Sequence, residues 1–150
     1  MSLVLKIVLA SVIILTALVV ALVRKRQSKS APTQPTNALP SQLDREDFPH
    51  PDMPWCVVVF SSATCGTCAD VVAKAKVLEC PEVVVAEIEY SQNRQLHERY
   101  HIDAVPSLVI AGSDGVVHAG FKGPISATDL WAAVAECRKP GSSPEPDLGR

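Results

Sequence analysis

The chain has 150 residues with 14 basic and 16 acidic side chains, a formal net charge of −2, and five cysteines. That length holds one ordinary domain, and the charge leaves no basic footprint for nucleic acid. An odd cysteine count argues against a fully paired extracellular disulfide framework. The charge is uneven: Lys6, Arg24, Lys25, Arg26 and Lys29 fall in the first 30 positions with no acid among them, so the rest is acidic on balance.

Residues 3–23 are apolar apart from Lys6, Ser11 and Thr16, and Ile7–Val23 runs 17 residues without a charge. This is the short end of a bilayer-spanning helix, and Lys6 can snorkel so that Leu3–Leu5 extend the span. A cleaved signal peptide would carry its charge before the apolar core; here Arg24-Lys25-Arg26 follows it. Residues 3–23 are therefore expected to anchor the chain in the lipid bilayer as a single-pass protein, with signal cleavage the rival. The basic flank places the C-terminal domain in the cytoplasm at the cell membrane, the alternative being a domain facing outward. Residues 24–47, with repeated proline and no apolar period, read as an extended disordered tether.

Residues 48–139 read as the folded domain. Pro49, Pro51 and Pro54 make its start irregular, and Trp55 follows at the core edge. The predicted elements are strand Cys56–Ser61, a helix from Cys65 to about Glu79, strand Val83–Glu89, a short helix Gln92–Tyr100, strand Ser107–Ala111, the hairpin turn Gly112-Ser113-Asp114-Gly115, strand Val116–Phe121, and a helix from Asp129 to about Arg138. Val83-Val84-Val85 suggests a strand buried on both faces. Residues 140–150 read as a disordered tail.

Cys65-Gly66-Thr67-Cys68 stands where a β-branched strand turns into a helix. Orphan N–H groups and the macrodipole at a helix start favour negative charge, so they favour a thiolate on Cys65, the form that attacks disulfides. Cys68, one turn on, is placed to resolve the mixed disulfide. Zinc sites ordinarily need a second Cys pair, or a His pair at loop spacing, and no second Cys-x-x-Cys is present. Cuprous-ion binding by two thiolates is an alternative, although such sites favour flexible loops. A purely structural disulfide with a two-residue gap is the third.

The order β-α-β-α-β-β-α with Cys-x-x-Cys opening the first helix resembles the thioredoxin-like family, over Cys56 to Arg138. The resemblance extends to Val105-Pro106 in the position of the family's cis-proline loop, Gly115 in the hairpin, Gly123 facing the bound partner, and Tyr100-His101-Ile102 where the family has Tyr-Gly-Ile. It is similar to small single-pass, membrane-tethered bacterial members. It implies an α/β thioredoxin-like fold and a thiol–disulfide oxidoreductase acting on protein disulfides. Gly66, Thr67, Val105 and Gly123 would line the substrate, with the backbone beside Pro106 pairing with an extended segment. No cofactor and no metal is implied, and the electron donor is open.

There are departures. Thr64 replaces the tryptophan before the first cysteine, and Gly66-Thr67 replaces Gly-Pro. The family's buried carboxylate maps to Val59, and the lysine that pairs with it maps to Glu87. Glu87 is a candidate base for Cys68, against the plain reading of a partly exposed strand residue. A non-catalytic adaptor or redox sensor is the alternative function.

Among the other residues, His97-Glu98-Arg99-Tyr100-His101 matches a zinc-protease pattern literally. The helix is too short, His101 sits at its end, and no third ligand follows, so these residues read as a polar surface. Cys56 and Cys137 read as buried small hydrophobes, and Cys80, at a helix end, as the most accessible of the three. Trp131 reads as core or core edge, and His50 and His118 as surface residues.

Overall fold

The computed structural model describes residues 38–142. The anchor at 3–23, most of the tether and the tail beyond 142 lie outside the described residues. Among the described residues no helix is long and apolar enough to cross a membrane.

Four strands form one sheet: β1 (Trp55–Ser61), β2 (Val83–Glu89), β3 (Ser107–Gly112) and β4 (Val117–Lys122), in the order β2-β1-β3-β4. Cys-Val-Val-Val-Phe in β1 is β-branched or aromatic at four of five positions and suits a strand covered on both faces. Cys56 through Phe60 are all fully buried. The strand pairs in parallel with β2 and antiparallel with β3, and β3 pairs antiparallel with β4. Parallel β1–β2 pairing requires a crossover, supplied by helix α1 (Cys68–Lys76). Helix α2 (Arg94–Arg99) follows β2, and α3 (Ala127–Arg138) closes the fold, its start capped by Ser126 Oγ accepting from Asp129 N at 3.1 Å.

Alternate residues of the central strands feed two cores. Val57, Val59, Leu108 and Ile110 pack beneath Val71, Val72 and Ala75 of α1 and Leu130 and Val134 of α3. On the opposite face Cys56, Val58, Phe60, Val109 and Ala111 pack against Tyr100, Ile102, Leu43 and Phe48. Burying each large aliphatic or aromatic side chain contributes about 1.5–3 kcal/mol.

The folded region starts earlier than residue 48. Leu43 is buried, and its N–H donates to Gly115 O at 2.8 Å, while Val117 N donates to Ser41 O at 3.0 Å. A short 3-10 helix, Arg45–Asp47, follows. Arg45 is buried and donates to Gly112 O at 2.8 Å and His50 O at 3.2 Å. Arg99 pairs with Asp44 at 2.9 Å and Asp47 at 3.0 Å, and the Tyr100 hydroxyl donates to Asp47 while accepting Asp44 N at 3.0 Å. Residues 41–48 are thus a strap across the sheet rather than the end of the tether. Gly115 is required by that strap: its φ is +78°, and a Cβ there would stand 2.0 Å from Leu43 O.

Other differences have local causes. Helix α1 starts at Cys68, not Cys65, because Ser62 and Thr64 hydroxyls satisfy each other and the turn backbone, competing with the helix. It stops at Lys76, short of Glu79; beyond it, Cys80 and Val83 exchange backbone hydrogen bonds at 3.1 and 3.0 Å, closing a tight turn. Helix α2 begins at Arg94 because the N–H groups of Ser91 and Gln92 are taken by the Glu89 carboxylate. Strand β2 is an edge strand, which leaves Val85 half-buried. Trp131 is 42% exposed; its indole N–H reaches Lys74 O at 3.2 Å and stays on the surface between α1 and α3.

Candidate active site

Strand pairing brings the candidate residues to one end of the sheet. Ser61, the last residue of β1, stands beside Glu89, the last of β2. Phe60 stands opposite Ser107, and Ser107 opposite Lys122. The turn at 62–67, the loop ending at Pro106 and the turn at Gly123 therefore share an edge, at the N-terminal end of α1.

Cys65 and Cys68 form a disulfide with Cα atoms 5.5 Å apart. Cys65 lies in the turn before α1 with its N–H donating to Ser62 O at 3.0 Å, and its side chain is partly exposed; Cys68, the first residue of α1, is buried. The helix start therefore still faces Cys65, although Cys65 is not in the helix. Thr67 Oγ1 lies 3.8 Å from Cys65 Sγ and makes no cap bond to α1, so its hydroxyl is available to a thiolate.

The Val105–Pro106 bond is cis, and both residues are buried. Val105 belongs to the same apolar cluster as Cys68, with Cys65 packed against it. Pro106 O accepts Gly123 N at 2.7 Å, and Gly123 has φ +84°. Gly66 is exposed, and the space around its Cα is open. The two cysteines, Gly66, Thr67, Val105, Pro106 and Gly123 thus gather at one edge.

Glu87 is placed differently. Its carboxylate accepts Ser61 Oγ at 2.9 Å and stands 4.0 Å from Lys76 Nζ, near the far end of α1 from Cys68. Val59 is fully buried in an all-apolar cluster. Sequence reasoning passed over Glu89, whose carboxylate accepts from Ala63, Ser91 and Gln92. The available signal was an acidic residue closing a strand ahead of Ser-Gln-Asn, a turn-forming run.

His97 is not a surface residue. It is 1% exposed, donates through Nε2 to Ile88 O at 2.9 Å, and meets the edges or faces of Phe60 and Tyr90 at 5.1 Å each. His101 is exposed with φ +52°, so the two histidines do not share a helical face. Among the described residues no group of three or more His, Cys, Asp or Glu is close enough to hold a metal ion. Burial pushes the Cys56 thiol up to about 11 against the opposing pull of Arg45, and raises Cys137 with help from Glu136. Both are poor nucleophiles. Cys80 and Cys137 are alike half-buried, so Cys80 is not set apart by accessibility.

A half-exposed cysteine bonded to a buried one, at the helix-bearing edge of an α/β sheet, defines a thiol–disulfide site on a thioredoxin-like fold. The Thioredoxin family model matches residues 49–136, more than half of the chain, and the chain belongs to that family. The X-ray structure of Fasciola hepatica thioredoxin is similar at 28% identity and TM-score 0.50, covering 57% of this chain and 83% of that one. A malarial protein shares the fold, with TM-score 0.51 at 15% identity, over 55% of this chain and 96% of its own. No curated protein sequence matches the chain.

Proposed function

We propose that this protein is a membrane-tethered thiol–disulfide oxidoreductase that reduces protein disulfides through Cys65 and Cys68. The observation that carries the chemistry is the pairing of partly exposed Cys65 with buried Cys68 in one disulfide. In the reduced form the Cys65 thiolate attacks a substrate disulfide, forming a mixed disulfide and releasing one substrate thiolate. The Cys68 thiolate then attacks Cys65 Sγ. The intermolecular bond breaks, the second substrate thiolate leaves, and Cys65–Cys68 is oxidised. Two electrons and two protons pass to the substrate, and an external thiol donor restores the dithiol. Gly66, Thr67, Val105 and Gly123 surround the attack point, and the backbone at Pro106 offers an edge to an extended substrate segment.

The tether is proposed from residues 3–29 of the sequence: an apolar run closed by Arg24, Lys25, Arg26 and Lys29, which favours a cytoplasmic domain. Anchoring raises the local concentration of the dithiol at membrane substrates. Insulin reduction with dithiothreitol as donor tests the activity; a rate no faster than dithiothreitol alone refutes it. A membrane-impermeant maleimide applied to intact cells before and after mild external reduction tests the orientation, and labelling of Cys65 from outside refutes the cytoplasmic placement. A redox sensor or adaptor is the second reading. It is favoured by Val59 and by the engagement of Glu87 with Ser61 and Lys76, which leave Cys68 without the family's proton relay.

A further inference from the structure

We propose that Glu89 is the positioning residue of the redox turn, its carboxylate tying the turn that carries Cys65 to the turn that follows β2. One oxygen accepts Ala63 N at 3.0 Å. The other accepts Ser91 N at 2.9 Å, Gln92 N at 3.2 Å and the Ser91 hydroxyl. The link is made where the parallel strands end: Glu89 is the register partner of Ser61, and Tyr90 N donates to Ser61 O at 2.9 Å. Beyond Ser61 the chain leaves the sheet and runs free of regular structure until Cys68.

That gap gives the contact its consequence. Cys65 precedes α1, so no helical ladder fixes it. The turn backbone from Ser62 to Cys65 is held by Cys65 N donating to Ser62 O at 3.0 Å, by Thr64 N reaching Ser62 Oγ at 3.4 Å, and by the Ala63 bond to Glu89. Of these three, the Glu89 bond alone reaches outside the turn. The Cys65–Cys68 disulfide also ties Cys65 to the first residue of α1; once that bond is reduced, the Glu89 contact sets where the turn, and Cys65 Sγ with it, stands relative to the helix start that favours the thiolate.

The side chain is matched to the task. Two faces of donors converge on it, so each needs an acceptor oxygen. Glutamine would turn an NH2 group against one set of N–H donors. Aspartate keeps the charge but is one methylene shorter and cannot span both turns. Partial burial alone would raise the Glu89 pKa, but the Ser91 hydroxyl and the N–H groups of Ala63, Gln92 and Ser91 outweigh it and hold the carboxyl below the usual range. The accepting anion is thus retained to lower pH than in an ordinary glutamate.

The effect on turnover rests on the oxidoreductase reading above; the effect on the turn does not. The test compares full-length wild type, Glu89→Asp and Tyr100→Phe. In Glu89→Asp the charge is constant, so changes report geometry. Ala63 amide exchange should rise about tenfold. The pH profile of Cys65 alkylation by iodoacetamide, read by peptide mass spectrometry on the reduced protein, should move toward that of an unassisted thiol. Tyr100→Phe loosens residues 43–48, away from the redox turn, and should leave both readouts at wild-type values. Wild-type exchange and alkylation in Glu89→Asp would overturn the proposal, as would equal changes in both variants, which would mark mere loss of stability. If the wild type shows no insulin reduction while Glu89→Asp still shifts both readouts, the clamp stands and the oxidoreductase reading falls. If insulin is reduced and Glu89→Asp changes nothing, the reverse holds.

Discussion

Replacing His97 with phenylalanine should weaken the fold at neutral pH and flatten its response to acid. The imidazole lies between Phe60 and Tyr90, its Nε2–H bonded to Ile88 O, and its Nδ1 is buried without a partner. That site suits a neutral ring. Burial pushes the His97 pKa below its ordinary 6.5, against smaller opposing pulls from the Ile88 carbonyl and Glu89. The unfolded chain takes up a proton near 6.5 while the folded chain does not. Folding stability therefore falls as pH drops below 6.5, by at most about 1.4 kcal/mol per pH unit, until the folded ring is itself protonated. Phenylalanine keeps the ring packing but leaves the Ile88 carbonyl without this donor, which costs about 1–3 kcal/mol. At pH 7.5 the variant should be less stable by that amount. By pH 5 the gap should narrow by up to about 2 kcal/mol, because the variant lacks the titration. Urea unfolding of both proteins at intervals from pH 5 to 8 measures the gap, and subtraction cancels the groups common to both. A gap that stays constant across that range refutes the account of His97 as a buried neutral ring.

Three further outcomes follow from the same geometry. Cys68→Ser should accumulate a mixed disulfide between Cys65 and a protein substrate, visible on non-reducing gels, whereas Cys65→Ser should form none through this motif. Leu130→Ala empties a fully buried position between α3 and the sheet and should cost about 2–5 kcal/mol by denaturant unfolding. Tyr100→Phe removes the hydroxyl that serves Asp44 N and Asp47, and should cost about 1–3 kcal/mol and speed amide exchange in residues 43–48, with β1 exchange little changed.

Most of the elements and the dithiol motif were legible along the chain. Valine-rich runs mark β1 and β2, Gly112-Ser113-Asp114-Gly115 marks the hairpin, and Cys65-x-x-Cys68 at a strand-to-helix turn marks the dithiol, because local propensity and spacing act over a few residues and are written along the chain. Val105-Pro106 and Gly123 were legible through family resemblance and not through their own chemistry. The remainder was set by contacts between segments far apart in sequence. Whether His97 is surface or core depends on Phe60 and Tyr90 closing over it, and a single polar position on a six-residue helix carries no periodicity to reveal that. Residues 41–47 look like tether because their partners, Gly112, Gly115, Arg99 and Tyr100, lie more than fifty positions away. Glu87 and Glu89, two residues apart and on one face of β2, part ways only in three dimensions. One meets Ser61 and Lys76, and the other meets the end of the redox turn, because β1 stops beside Glu89 and the chain must turn there.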